Sequence, residues 1–268
     1  MRPRVLQIQR RYHLGKRKTG ALRKEQNRHM KNNVKFPFEV NSSNTIEFNQ
    51  DYKFKRKSVE LLPQSVNQEK YILSLIDRDL DIVVVSGPAG TGKTYLAMLA
   101  AIKSLRNGDC DKIILTRPAV AVDDEKHGFL PGDLNSKMEP WVRPLFDVLR
   151  EYYSMKELAY MLSEQTIEIT PLAFCRGRNF KKAFVILDEA QNATPSQIKM
   201  LMTRIGEGSK IVITGDIEQT DRRNTDNGLL DLTNRLNQFA VKGISVCEFE
   251  PKDIRRHEII EHILKLYS

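Results

Sequence analysis

Residues 87–94 read Gly87-Pro88-Ala89-Gly90-Thr91-Gly92-Lys93-Thr94, the pattern G-x-x-x-x-G-K-[ST] without a mismatch. Such a loop works only when a strand delivers it and a helix receives it, so the pattern constrains the fold around it. Both flanks are present. Ile82 to Val85 are apolar and β-branched without alternation, as in a strand covered on both faces. Beyond Tyr95, the residues Leu96, Ala97, Met98, Ala100 and Ala101 favour helix, and no Pro or Gly intervenes before Gly108. Gly87, Gly90 and Gly92 allow the backbone to curl so that successive N–H groups face one concavity. The helix N-terminus adds partial positive charge there. In such a loop Lys93 reaches β- and γ-phosphate oxygens and the Thr94 hydroxyl can ligate Mg²⁺. A Gly-rich turn that matches by chance is the plain alternative; the strand and helix around it favour a phosphate site.

A second signal lies at Ala183-Phe184-Val185-Ile186-Leu187-Asp188-Glu189, an apolar run ending in two acids. Ligands of open α/β sheets bind at the carboxyl ends of strands. Asp188 is therefore expected to hold Mg²⁺, directly or through water, and Glu189 to act on the attacking water as general base. Hydrophobic strands often end in acids; the phosphate loop makes the functional reading the stronger one. Lys210 to Ile213 predicts another strand, followed by Thr214-Gly215-Asp216 and by Gln219, a candidate γ-phosphate sensor. Gln68, on a helix expected to run to about Ile76, has an amide that could read both edges of an adenine; alone it would be an exposed helical Gln. Further strands are expected at Lys112–Thr116, Thr166–Thr170 and Ile244–Phe249. Helices are expected at Leu134–Tyr153, Met155–Leu162, Thr194–Ile205, Asp226–Leu236 and Asp253–Leu266. This alternation predicts an α/β fold with a mostly parallel sheet. Arg255 and Arg256 would fall in the first turn of the last helix, where the helix dipole disfavours cations. A phosphate across a subunit interface, or a surface salt bridge, would account for them.

The charge is unevenly spread. Residues 1–60 carry 16 Lys/Arg against 5 Asp/Glu, whereas the other 208 residues carry 27 against 29. A basic arm ahead of a near-neutral core points to a polyanion, most simply nucleic acid, with a solubilising tail as the plainer reading. Residues 1–35 are too polar to bury a core and are expected to be disordered when free. Residues 36–61 hold short alternating stretches, expected as one or two edge strands. There Tyr52 and Phe54 either stack on nucleic-acid bases or pack inward. No apolar run approaches the ~20 residues of a membrane span. The basic N-terminus has no apolar stretch behind it, so no secretory signal is read. Cys110, Cys175 and Cys247 are single and far apart, which fits a cytoplasmic setting and buried packing roles better than disulfides or zinc. His127 has no partner at metal-ligand spacing.

GPAGTGKT, RPAVAVDDEKHGFLPGDLNSKMEPWVRPLFDVL, TPLAFCRGRNF, VILDEAQNATPSQIKMLMTRIGEGSKIVITGD and DIRRH, in this order, closely resemble the PhoH-like family. The likeness covers roughly Leu62 to Leu266, and the GFLPGD and LDEAQN segments are its most specific parts. It implies a RecA-like P-loop ATPase domain at residues 62–268, similar to the first motor domain of superfamily 1 helicases. By the same likeness Gln68 contacts adenine, Asp188 to Gln191 form the metal and water motif, and Gln219 senses the γ-phosphate. Arg256 would act as an arginine finger from a neighbour in a ring-shaped homo-oligomer, by family likeness a hexamer. Some members carry a PIN ribonuclease domain, for which this chain has no room, and show RNA unwinding. Two departures lie beside the γ-phosphate sensor. Thr220-Asp221-Arg222-Arg223 replaces an apolar residue and a Pro, and Asn227 stands where Ser is usual. The expected activity is Mg²⁺-dependent ATP hydrolysis coupled to remodelling or unwinding of RNA or single-stranded DNA. An ATP-binding regulatory module with little turnover and a P-loop small-molecule kinase are the alternatives. A GTPase is disfavoured, since no N-K-x-D signature appears.

Overall fold

The computed structural model describes residues 57–118, 144–219 and 227–255, all within one compact unit. The arm, residues 36–56 of the segment 36–61 expected to hold edge strands, residues 134–143 and 256–266 of two expected helices, the GFLPGD segment and Arg256 lie outside them. Helix α1 spans Val66–Ile76, strand β1 Ile82–Ser86, helix α2 Lys93–Asn107 and strand β2 Lys112–Arg117. Then follow a helical segment at 144–150, helix α3 (Met155–Ser163), β3 (Ile167–Pro171) and β4 (Ala183–Leu187). Helix α4 (Pro195–Met202), β5 (Lys210–Gly215), α5 (Gly228–Gln238) and β6 (Ile244–Glu248) complete the series.

The six strands pair in the order β3-β2-β4-β5-β1-β6, every pair parallel. Apolar residues on both strand faces explain this, because a parallel sheet must be covered twice. Val83, Val85, Ile113, Leu115, Phe184, Ile186 and Val212 pack with α1, α2, α3 and Leu149 on one side. Their alternate neighbours Ile82, Val84, Ile114, Val185, Leu187, Ile211 and Ile213 pack with α4 and α5 on the other. Strand β5 lies between the strand that delivers the phosphate loop and the strand that ends in Asp188. This order sets the two about 10 Å apart, two strand spacings. No helix among the described residues is long and apolar enough to cross a membrane.

Local chemistry fixes the helix ends. Ser65 and Thr194 cap α1 and α4, the latter in a capping box with Gln197 and with Pro195 at the first helical position. Gly108 closes α2 in the left-handed region. Helix α4 stops at Met202, three residues short of the expected end. The Phe180 N–H donates to the Arg204 carbonyl at 2.9 Å, which draws that backbone into a bridge between Phe180 and Ile205. Cys110, Cys175 and Cys247 are free and buried, and burial raises each thiol above its ordinary pKa. This matches their expected role as packing residues.

Candidate active site

Strand register builds the centre of the site. Thr116 pairs with Leu187, and Leu187 with Ile213. One residue further on, Arg117, Asp188 and Thr214 therefore form a row across the carboxyl ends of β2, β4 and β5. Residues level across parallel strands project to the same face, so their side chains meet. Asp188 Oδ1 accepts from the Thr214 hydroxyl at 2.8 Å and from the Thr94 hydroxyl, in the first turn of α2, at 2.7 Å. Its Oδ2 accepts from Arg117 Nε at 2.9 Å and also from Arg117 Nη2. Asp188 is buried, so these donors stand in for the water that an exposed carboxylate would have. A carboxylate beside two hydroxyls is an all-oxygen donor set that suits Mg²⁺, which binds through one or two protein oxygens plus phosphate oxygens. No cluster of three His, Cys, Asp or Glu side chains placed to hold a metal occurs among the described residues.

The phosphate loop is braced from three sides. Lys93 is buried, its Nζ donating to the carbonyls of Gly87 (2.6 Å) and Pro88 (2.7 Å). The end of β6 presses on the loop: Phe249 donates its N–H to Ser86 O at 2.8 Å, and a Cβ on Gly87 would lie 2.5 Å from Phe249 O. Gln68 is buried at 4% exposure, with Nε2 on Thr91 O at 3.0 Å and Oε1 accepting from Gln64 N at 2.8 Å. Its Nε2 therefore ties α1 to the loop, while its Oε1 holds the backbone that leads into α1. One amide N–H and one oxygen lone pair of Gln68 are not used by these two bonds.

Residues 253–255 of the helix expected at Asp253–Leu266 are not α-helical, and residues 256–266 lie outside the described residues. Pro251–Asp253 form a single 3₁₀ turn and Ile254 is extended, so Arg255 lies in no helical first turn. The physical reason is that Asp253 turns its carboxylate back. It accepts from Glu250 N at 2.8 Å and from Asn67 Nδ2 at 2.7 Å. Arg255 then donates its N–H to Gly90 O at 2.9 Å and its Nη2 to Gln64 O at 2.6 Å. Burial opposes ionisation of Asp253, but the N–H of Glu250 and the side chains of Ser65 and Asn67 together hold its pKa below the ordinary 3.8. A depressed carboxylate stabilises the fold at pH values above its unfolded pKa and loses that contribution as pH falls through its folded pKa. We expect Asp253→Asn to lower the thermal midpoint at pH 7. The gap to wild type should narrow as pH drops below about 3.8. Midpoints measured from pH 7 to 3 check this, and a gap independent of pH would rule it out.

Glu189 has a conformation that no local pattern announces. It lies in the left-handed region at φ 56° and ψ 41°, which is strained for a residue with a Cβ. Its Oε2 accepts from Gln191 Nε2 at 2.6 Å, and buried Gln191 accepts through Oε1 from the Asp216 N–H at 3.1 Å. Gly215 makes room for this link, since a Cβ there would lie 2.5 Å from Gln191 Oε1. The acid after β4 is thus tied to the turn after β5. Gln219 is exposed, three residues beyond Asp216 on that same stretch. Asn227 caps α5 through Leu230 N and donates to Ile217 O at 3.3 Å. Asn227 thus joins the start of α5 to the stretch that carries Gln219.

Lys93, Thr94 and Asp188 are thus gathered at one place, with Glu189 the next residue after Asp188. Thr214, Arg117 and Gly215 were not singled out from the sequence as site residues. A small polar or basic residue just past an apolar run was the available signal, but its relevance depends on strand order.

The family model described as "PhoH-like protein" matches residues 60–268. A "PhoH-like protein" of Bacillus subtilis (strain 168) is 44% identical over 215 residues, 80% of this chain and 65% of that protein. One from Synechocystis sp. is 43% identical over 205 residues, covering 76% and 61%. "Protein PhoH" of Escherichia coli (strain K12) is 37% identical over 216 residues, covering 80% and 60%. The chain thus spans less than two thirds of the length of each of these relatives. Among solved structures, the large terminase from a thermophilic bacteriophage aligns with a TM-score of 0.47 at 11% identity, covering 77% of this chain and 51% of that one. The Sulfolobus solfataricus SWI2/SNF2 ATPase core aligns with a TM-score of 0.39 at 12% identity, covering 72% and 45%.

Proposed function

This chain belongs to the PhoH-like family, and from that premise we propose that it is a Mg²⁺-dependent ATP hydrolase acting on RNA or single-stranded DNA. The observation that carries the reading is the 2.7 Å bond between Thr94 and Asp188, 94 residues apart. It joins the phosphate loop to the acidic strand end, the meeting that phosphoryl transfer to water requires. Lys93 and the loop N–H groups bind the phosphates. Thr94 and Asp188 hold the cation, which when bound neutralises charge on the β- and γ-phosphate oxygens. Glu189 takes a proton from the attacking water, and Gln219 orients that water or the γ-phosphate. Arg256, donated by a neighbouring copy in a ring, offsets charge on the transferring group; a hexamer is the ring the family likeness favours. Gln68 contacts adenine. A carboxylate beside Asp188, fixed by Gln191, favours this reading over a P-loop kinase and over a regulatory module with little turnover.

The domain reading belongs with this proposal: a basic arm at 1–35, short β elements at 36–61 and the ATPase domain at 62–268, in the cytoplasm. The arm supplies sequence-independent contacts to phosphates. The deciding measurement is ATP turnover with and without RNA and single-stranded DNA, beside the mass of the assembly in solution. We expect turnover to rise with one of the polymers. Deleting residues 1–35 should weaken binding strongly at low salt and much less at high salt, because each phosphate contact releases counterions. Turnover at background in every condition would overturn the hydrolase, and unchanged binding at low salt would leave the arm a solvated tail.

A further inference from the structure

Arg117 places a permanent positive charge on the residue expected to hold the metal. Its Nε and Nη2 both donate to the single oxygen Oδ2 of Asp188, while Oδ1 faces the hydroxyls of Thr94 and Thr214. The pairing is built into the sheet, since β2 and β4 run level up to Thr116 and Leu187 and the Asp188 N–H bonds to Thr116 O at 2.9 Å. The Asp188 side chain is 6% exposed and that of Arg117 21%. A buried carboxylate without a counter-charge would be costly, and a guanidinium does not deprotonate. Carboxylate and guanidinium therefore cancel within the pair.

Neutrality has a consequence for a divalent cation. A lone buried carboxylate attracts Mg²⁺ by itself, whereas one already paired with Arg117 offers no net charge. Binding then needs the negative charge of the nucleotide's phosphates. We propose that Arg117 is a positioning residue that holds Asp188 in line with Thr94 and weakens the affinity for free Mg²⁺, so that the cation is taken up only together with the nucleotide. This rests on the reading of Thr94 and Asp188 as metal ligands for ATP hydrolysis. It gives Arg117 a role in the order of binding, before any chemistry.

The test uses the full chain and Mn²⁺ as a paramagnetic probe of the metal site, titrated without nucleotide and again with a non-hydrolysable ATP analogue. Arg117→Gln keeps a hydrogen-bond donor and removes the charge; Arg117→Lys keeps the charge. Removing one unit charge a few ångströms from a divalent cation is expected to tighten free Mn²⁺ binding by about tenfold or more in Arg117→Gln. Arg117→Lys should stay near wild type. With the analogue present the difference should shrink, because the phosphates then dominate. Adding Asp188→Asn to Arg117→Gln should abolish the gain. If Arg117→Gln is too unstable to titrate, MgCl₂ should raise its thermal midpoint far more than that of wild type. Equal free Mn²⁺ affinity in wild type and Arg117→Gln, a gain that survives Asp188→Asn, or instability indifferent to MgCl₂ would each overturn the proposal. Failure of wild type to bind Mn²⁺ even with the analogue would sink the hydrolase reading along with it. Normal analogue-dependent binding with no effect of Arg117→Gln would remove only the role of Arg117.

Discussion

Replacing Glu189 by Gln is expected to lower ATP turnover by about 10²–10⁴-fold, the range for loss of a positioned general base, while nucleotide binding stays near wild type. The geometry explains why the two effects separate. Lys93, Thr94 and Asp188 make contacts that do not run through Glu189. The Gln side chain is of equal size, and its carbonyl oxygen can still accept from Gln191 Nε2 as the carboxylate does at 2.6 Å. The left-handed backbone at φ 56° should therefore persist, and with it the strand ends of β4 and β5. Only proton acceptance is lost. The measurement pairs steady-state turnover, with and without nucleic acid, against binding of a fluorescent ATP analogue. Turnover within a fewfold of wild type would remove Glu189 as the base. A parallel loss of binding would mean that the strained turn, not the proton transfer, had been disturbed.

The parts of this site that could be read in the sequence are those whose signal is local. The strand from Ile82, the glycine spacing from Gly87 to Gly92 and the helix to Asn107 lie within 26 consecutive residues, and the structure follows them closely. Asp188 was legible because an apolar run ends there. Its partners Thr214 and Arg117 were not, because which strand ends stand beside β4 is decided by the sheet order β2-β4-β5. Apolar runs of similar composition carry no mark of that order. The conformation of Glu189 was hidden for a different reason. Residues with a Cβ avoid positive φ, and the bonds from Gln191, the Asn192 N–H on Glu189 O and the space above Gly215 help to hold it there. Arg255 shows the reverse error. The helix expected from Asp253 does not begin there, because the Asp253 carboxylate takes Glu250 N and Asn67 Nδ2 as partners and Ile254 is extended. Bonds to residues far away in the sequence, Asn67, Gly90 and Gln64, hold residues 253–255 in that form.

A single methyl group at Gly87 should be the most damaging small change to the loop. Gly87 has φ +141°, a conformation that side chains rarely adopt. The Cβ of an alanine would also stand 2.5 Å from Phe249 O and 2.7 Å from Phe249 Cβ. Neither atom can swing away cheaply. Phe249 donates its N–H to Ser86 O, and its ring packs edge-on against Tyr71 at 5.6 Å. Tyr71 is itself fully buried, with its hydroxyl on Lys93 O at 3.3 Å. Relief must therefore come from moving either the loop or the end of β6, and both lie against the phosphate site. Overpacking costs about 1–3 kcal/mol and a non-glycine residue at unfavourable positive φ about 1–2 kcal/mol more. Gly87→Ala is thus expected to be destabilised by roughly 3 kcal/mol, a fall in midpoint of about 6–12 °C for a chain of this size. Nucleotide binding should weaken further than stability alone explains, because Lys93 Nζ is held by the carbonyls of Gly87 and Pro88. Adding the ATP analogue should then stabilise Gly87→Ala less than it stabilises wild type, by mass action on the weakened site. Equal ligand-induced shifts in the two proteins would show that the loop accommodates the methyl group by moving Phe249 instead.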